Sequence, residues 1–207
     1  MITNVSLNPI CQRCPPNRRP RPGSRLSATA GVFRFSRKSI CWSVFFDNHC
    51  SVDERLITKP EQAATLLLEV FRLFGQTLVE GFVHMDPHPR NILIGPDGAL
   101  RLIDFECCAH SVLDHDFSLG FLLGYFYRYW FQRFISLADY DACCEHYLAM
   151  AHPTVNREIF QPVYTRFRDS GVSRSTRYRI LTCARSQGEF LRELRSSADQ
   201  PLVKSRQ

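Results

Sequence analysis

The stretch Asn91-Ile-Leu-Ile-Gly-Pro-Asp-Gly-Ala-Leu-Arg-Leu-Ile-Asp104 leaves the chain little freedom. Two short runs rich in Ile and Leu flank Gly95, Pro96, Asp97 and Gly98, so they read as two strands joined by a tight turn. A hairpin folds its two ends together. Asn91, just before the first strand, and Asp104, closing the second, are therefore expected at one end, where their oxygens could hold Mg²⁺. Asp86 lies on the loop that precedes the hairpin, within expected reach of a substrate hydroxyl. An Asp, an Asn and a second Asp at these offsets form a layout suited to metal binding and proton transfer. Each residue alone is an ordinary turn former; it is the joint occurrence that is specific.

The order His84-Met-Asp86, four residues, Asn91, then a strand ending in Asp104-Phe105, resembles the protein-kinase-like superfamily. "HMDPHPRN" is most similar to the loop of aminoglycoside and choline type phosphotransferases and of UbiB-type atypical kinases. "LIDFE" carries Glu106 where protein kinases have Gly, which is closer to the small-molecule enzymes. The resemblance implies ATP and Mg²⁺ as cofactors, with Asp86 as catalytic base or hydroxyl-orienting group. It also implies Asn91 and Asp104 as metal ligands, His84 as a brace of the loop, and His88 either near the phosphates or satisfied by backbone. Arg90, where relatives often have a small residue, either reaches a phosphate or marks drift. Asp116 resembles the Asp of a following helix start, expected to accept backbone N–H bonds from the catalytic loop.

The implied fold class is α+β: a mostly helical large lobe with a catalytic-loop hairpin and a reduced N-terminal strand region. Domain boundaries are expected at 1–30 for a basic tail, 31–50 for a small-lobe remnant with the hinge strand, and 51–200 for the large lobe. The chain has 207 residues, 44% of them apolar and 22% charged, enough for a sizeable core. Its net charge of +6 owes much to residues 1–46, which contain no Asp or Glu. "PPNRRPRPGSR" there argues against helix or strand. An Arg-rich, acid-free start also fits an organellar transit peptide, although its prolines oppose the amphipathic helix such signals use; without a secretory apolar region, the cytoplasm is the default. Nine cysteines, an odd number with adjacent pairs, make a poor disulfide framework, and free thiols are expected. "CQRC" at Cys11–Cys14 lacks a second ligand pair for zinc.

Helices dominate the rest. "KPEQAATLLLEVFRLFGQTLVEG" has Pro60 at a first helical position, apolar residues at helical spacing and Gly81 as its stop. "DFSLGFLLGYFYRYWFQRFISL" is apolar on nearly all sides, which fits a buried central helix; its uncharged run is too short to span a bilayer, while peripheral membrane contact stays open. Further helices are expected around "ADYDACCEHYLAMA", "NREIFQPVYTRF" and "SRSTRYRILTCARSQGEFLREL", the Arg residues of the last forming a solvated face and not a nucleic-acid site. Before the loop there is little room for a complete phosphate-covering lobe. "ICWSVFFDNH" reads as the hinge strand and Lys38 as a basic residue on an edge strand. The resulting expectation is a Mg²⁺-dependent transfer of the ATP γ-phosphoryl to a hydroxyl of a small molecule or lipid-linked sugar. The alternative is an inactive, pseudokinase-like or truncated binding module. The identity of the acceptor and the oligomeric state are not legible.

Overall fold

The computed structural model describes residues 48–198. The expected basic tail, most of the hinge strand, Lys38 and the CQRC pair lie outside the described residues. What is described is mostly helical, with two small antiparallel sheets, an α+β arrangement.

The chain enters through β1 (Cys50–Ser51) and turns at once into α1 (Val52–Thr58). Ser51 starts this helix with a capping box: Glu54 N–H donates to Ser51 Oγ at 3.1 Å, and Ser51 N–H donates to Glu54 Oε2 at 2.8 Å. Lys59 ends the helix. Pro60 then opens a 3₁₀ turn that feeds α2 (Ala63–Val79), and Gly81, with φ of 87°, supplies the left-handed residue that stops it. Apolar residues of α2 at helical spacing, among them Leu67, Val70, Phe71, Phe74 and Leu78, face the core.

β2 (Val83–His84) leads to the loop of interest. A 3₁₀ turn at Pro89–Asn91 precedes β3 (Ile92–Ile94), and β4 (Leu100–Leu102) follows the turn. The hairpin register pairs Ile92 with Leu102, Leu93 with Arg101 and Ile94 with Leu100. At its tip Arg101 pairs with Asp97 at 2.7 Å, and these hydrogen bonds hold the Asp97 carboxyl down at about 2. β1 adds a third strand that the sequence pattern did not suggest, giving the order β1-β3-β4. β5 (Cys108–Ala109) pairs separately with β2.

The central helix is α3 (His115–Phe126), in which every residue from Phe117 to Phe126 is buried. It continues into a π-helical turn over Tyr127–Phe131. α4 (Leu137–Ala151), α5 (Arg157–Asp169), α6 (Arg174–Thr182) and α7 (Ala184–Ala198) complete the described chain. The last expected helix is thus two. Cys183 breaks it with extended backbone at φ −131° and ψ 112°, while its sulfur takes hydrogen bonds from Ser186 in the first turn of α7. The break lets Phe190 of α7 reach Phe117 and Phe167 at ring separations of 6.1 and 6.0 Å. Nor do the Arg residues of this segment form one solvated face, because Arg177 is buried.

Why α3 is covered on all sides is explained by its glycines. A Cβ on Gly120 would stand 2.8 Å from the Phe160 carbonyl oxygen, and one on Gly124 only 2.4 Å from that of Tyr164. α5 therefore crosses α3 backbone against backbone. Phe121 packs edge-on against Phe167 at 4.8 Å, Phe74 meets Phe126 at 5.4 Å from the α2 side, and the Tyr140 hydroxyl of α4 donates to the Leu123 carbonyl at 2.7 Å. Among the described residues no helix is long and apolar enough to cross a membrane, and none of the six cysteines is in a disulfide.

The close crossing gives a direct test. Gly124→Ala should destabilise the chain by at least about 2 kcal/mol in chemical denaturation, because the obstructing atoms are backbone. Gly188→Ala, where nothing lies within 4 Å of the new methyl, should instead stabilise by about 0.5–1 kcal/mol. Equal effects at the two positions would contradict the crossing.

Candidate active site

The loop from His84 to Asn91 is fixed at its entrance by β2. Val83 and His84 pair with Ala109 and Cys108, and Met85 N–H donates to the Cys107 carbonyl at 2.8 Å. His84 is fully buried. Its Nε2 lies 3.2 Å from the Ile103 carbonyl and its Nδ1 accepts the Asp86 N–H at 3.3 Å. With Nδ1 accepting, Nε2 carries the proton, so one imidazole links the backbone at Asp86 to the backbone next to Asp104. Burial lowers the His84 pKa and keeps the ring neutral.

Asp86 sits just past this brace with its side chain 47% exposed. Its Oδ1 accepts the Tyr125 hydroxyl at 2.7 Å, and the Arg177 guanidinium stands 4.0 Å from the same oxygen. Burial first, and then the bond to Asp86, raise the Tyr125 pKa, so the phenol remains a donor. Neither Tyr125 nor Arg177 was indicated by the sequence.

The hairpin sets Asn91 against the residue that precedes Asp104. The Asn91 carbonyl accepts the Ile103 N–H at 2.9 Å, one residue beyond the Ile92–Leu102 pair. Asp104 is exposed and its backbone is left-handed, φ 64°. Such a conformation is uncommon for a residue with a Cβ, though Asp tolerates it better than most. Among the described residues no hydrogen bond engages either side chain. An amide oxygen and a carboxylate with free lone pairs are hard donors of the kind Mg²⁺ takes, so the residues fit a Mg²⁺ site.

His88 caps the 3₁₀ turn, its Nδ1 accepting the Arg90 N–H at 3.0 Å. Burial and the neighbouring Arg90 push its pKa down to about 4. Arg90, for which the sequence left a phosphate contact or drift, donates through Nε to Asp53 Oδ2 at 3.1 Å. Asp53, in α1 and only 5% exposed at its side chain, also pairs with Arg133 through its other oxygen. Asp53 was not anticipated either, although the Ser51-Val-Asp-Glu54 capping signature marks the helix that presents it.

Asp116 requires a correction. It does not accept from the His84–Asn91 loop; its Oδ2 accepts the Asn156 N–H at 3.0 Å, at the start of α5. Asp114 takes the N-cap position instead, accepting the Phe117 N–H at 2.8 Å, so Asp116 is turned toward α5. It ties α3 to the start of α5.

The buried imidazole predicts a pH dependence. His84 has a folded pKa below its unfolded value near 6.5, so its contribution is fully present above that pH and is lost as pH falls below it. His88 acts in the same direction down to about 4. In Mg²⁺-free buffer the Tm should therefore decline from pH 7 to pH 5, and His84→Gln should flatten that decline even if its Tm at pH 7 is lower. An unchanged slope in the variant would show that His84 does not carry the effect.

With this geometry in place, comparison with known proteins is informative. The chain matches the phosphotransferase enzyme family, APH, over residues 45–151, an interval that contains the loop, the hairpin and α3. Over 52 residues it is 46% identical to an uncharacterized protein of Synechocystis sp.; the match covers 25% of this chain and 12% of that protein's length. No solved structure matches. Of the two branches that the loop resembles, the family match favours the small-molecule phosphotransferases. The chain belongs to the phosphotransferase enzyme family.

Proposed function

We propose that the chain transfers the γ-phosphoryl group of ATP to a hydroxyl of a small molecule or lipid-linked sugar. The reading is supported by one observation: the hairpin sets Asn91 opposite Ile103, the residue before Asp104, while His84 bridges the backbone at Asp86 to the Ile103 carbonyl of the same strand end. Family membership supports it.

Asn91 and Asp104 would hold Mg²⁺, which when bound neutralises phosphate charge and orients the transferred group. Asp86 performs the protein's own part. Its Oδ1 is occupied by the Tyr125 hydroxyl. Oδ2 is thus the oxygen left to accept the proton of the acceptor hydroxyl as that oxygen attacks phosphorus and the bond to ADP breaks. Catalysis rests on positioning and charge stabilisation more than on covalent chemistry.

The test joins binding to turnover. At nucleotide 100-fold above Kd, Mg²⁺-ATP should stabilise the chain by about 2.7 kcal/mol, roughly 5–10 °C in Tm. Asp104→Asn should abolish that shift. Asp86→Asn should keep it while lowering ADP formation by about 10²–10⁴-fold. Absence of any Mg²⁺-dependent shift in the wild type would sink the proposal, and nucleotide binding without turnover would identify a binding module in its place.

A further inference from the structure

Arg177 is a buried charge whose ion pairing, among the described residues, falls to Asp86. Its residue is 8% exposed. One terminal nitrogen donates to the Val172 carbonyl at 3.0 Å, the guanidinium lies 4.5 Å from the centre of the Tyr125 ring, and Nε is buried without a hydrogen-bond partner. Among the described residues, Asp86 is the one carboxylate that forms an ion pair with it, at 4.0 Å. That distance is an ionic contact and not a direct hydrogen bond. A guanidinium held this far from water needs a counter-charge, and the fold supplies the residue that resemblance marks as the base.

Tyr125 is engaged from both directions. Its ring meets Arg177 and stacks on Tyr129 at 4.4 Å, while its hydroxyl donates to Asp86 Oδ1. Arg177 thus acts on Asp86 twice: directly by charge, and indirectly by packing the ring whose hydroxyl holds the same oxygen. A phenol hydroxyl alone rotates with its acceptor. A planar cation fixed to the Val172 carbonyl does not, so the pair holds Oδ1 on its side of the carboxylate.

We infer that Arg177, delivered by α6 from far along the chain, is a positioning residue for Asp86. This inference rests on the phosphotransfer reading for its kinetic consequence, but its structural content is separable. The same helix contacts the loop region again through Arg174, which donates to the Cys107 sulfur next to β5, so α6 is docked where the inference needs it.

The experiment uses the full chain with Mg²⁺-ATP and water as the acceptor, following ADP release. Arg177→Met keeps bulk and removes charge. It should lower kcat by about 10²-fold, the scale of a misplaced reacting group, while KM for ATP stays within about twofold. Arg177→Lys should recover part of the loss. A kcat for Arg177→Met within twofold of wild type, or a loss confined to KM, would overturn the inference. Should Arg177→Met not fold, the same kcat and KM comparison is made on Arg177→Lys against wild type, with the same criteria. If the wild type releases no ADP, the phosphotransfer reading fails while the positioning is judged by a thermal cycle. Asp86→Asn should then lower Tm by about 3–5 °C in the wild-type background and by less than half as much beside the Arg177 variant, Met or Lys, that folds. Additive shifts would overturn the inference on that arm.

Discussion

The hydrogen bond from Tyr125 to Asp86 joins a helix buried on all sides to a loop whose Asp86 side chain is half-exposed. Its geometry is only as firm as the helix behind it. α3 cannot shift easily, because at Gly120 and Gly124 the backbone of α5 fills the space that side chains would otherwise occupy. α2, α4 and α7 close the remaining sides with aromatic contacts and with the Tyr140 hydroxyl bond. Close packing of this kind transmits position with little slack. The carboxylate inherits the rigidity of a core it does not belong to.

Two other connections constrain the loop from different sides. His84 ties the backbone at Asp86 to the backbone beside Asp104. Asp53 fastens Arg90, the residue before Asn91, to α1, and through Arg133 it fastens the chain just beyond the π-helical turn. Paired with two guanidinium groups, a nearly buried carboxylate becomes tolerable. The short N-terminal helix therefore has a task beyond covering hydrophobic surface: it anchors the turn from which Asn91 emerges.

Much of this was readable before any coordinates. The hairpin followed from Gly95 to Gly98 between two Ile/Leu runs, and the α2 boundaries from Pro60 and Gly81, because turn and cap chemistry is local. The family resemblance in "HMDPHPRN" and "LIDFE" was likewise local. What escaped was tertiary. Tyr125 stands 39 residues from Asp86, and Asp53 stands 37 from Arg90 and 80 from Arg133; no periodicity links such pairs. Arg177 read as one of many surface arginines, since burial of a single charge within an Arg-rich segment has no sequence signature. Asp116 was expected to accept from the loop, but only the approach of α5 shows that it turns to the Asn156 N–H, while Asp114 caps its own helix. The break at Cys183 was hidden because cysteine is not a recognised helix breaker, although a sulfur at that point can accept from the next turn.

The left-handed backbone at Asp104 carries a consequence for how such a chain changes over time. At φ of 64° a glycine would be at ease, whereas a residue with a Cβ gives up on the order of 1 kcal/mol to remain there. Selection for thermal robustness alone would therefore favour loss of the carboxylate. Any laboratory evolution that screens this protein for folding yield or heat tolerance has a downhill route to a sturdier molecule without this carboxylate. Only selection for what that group does can keep an aspartate in a place that suits a glycine better.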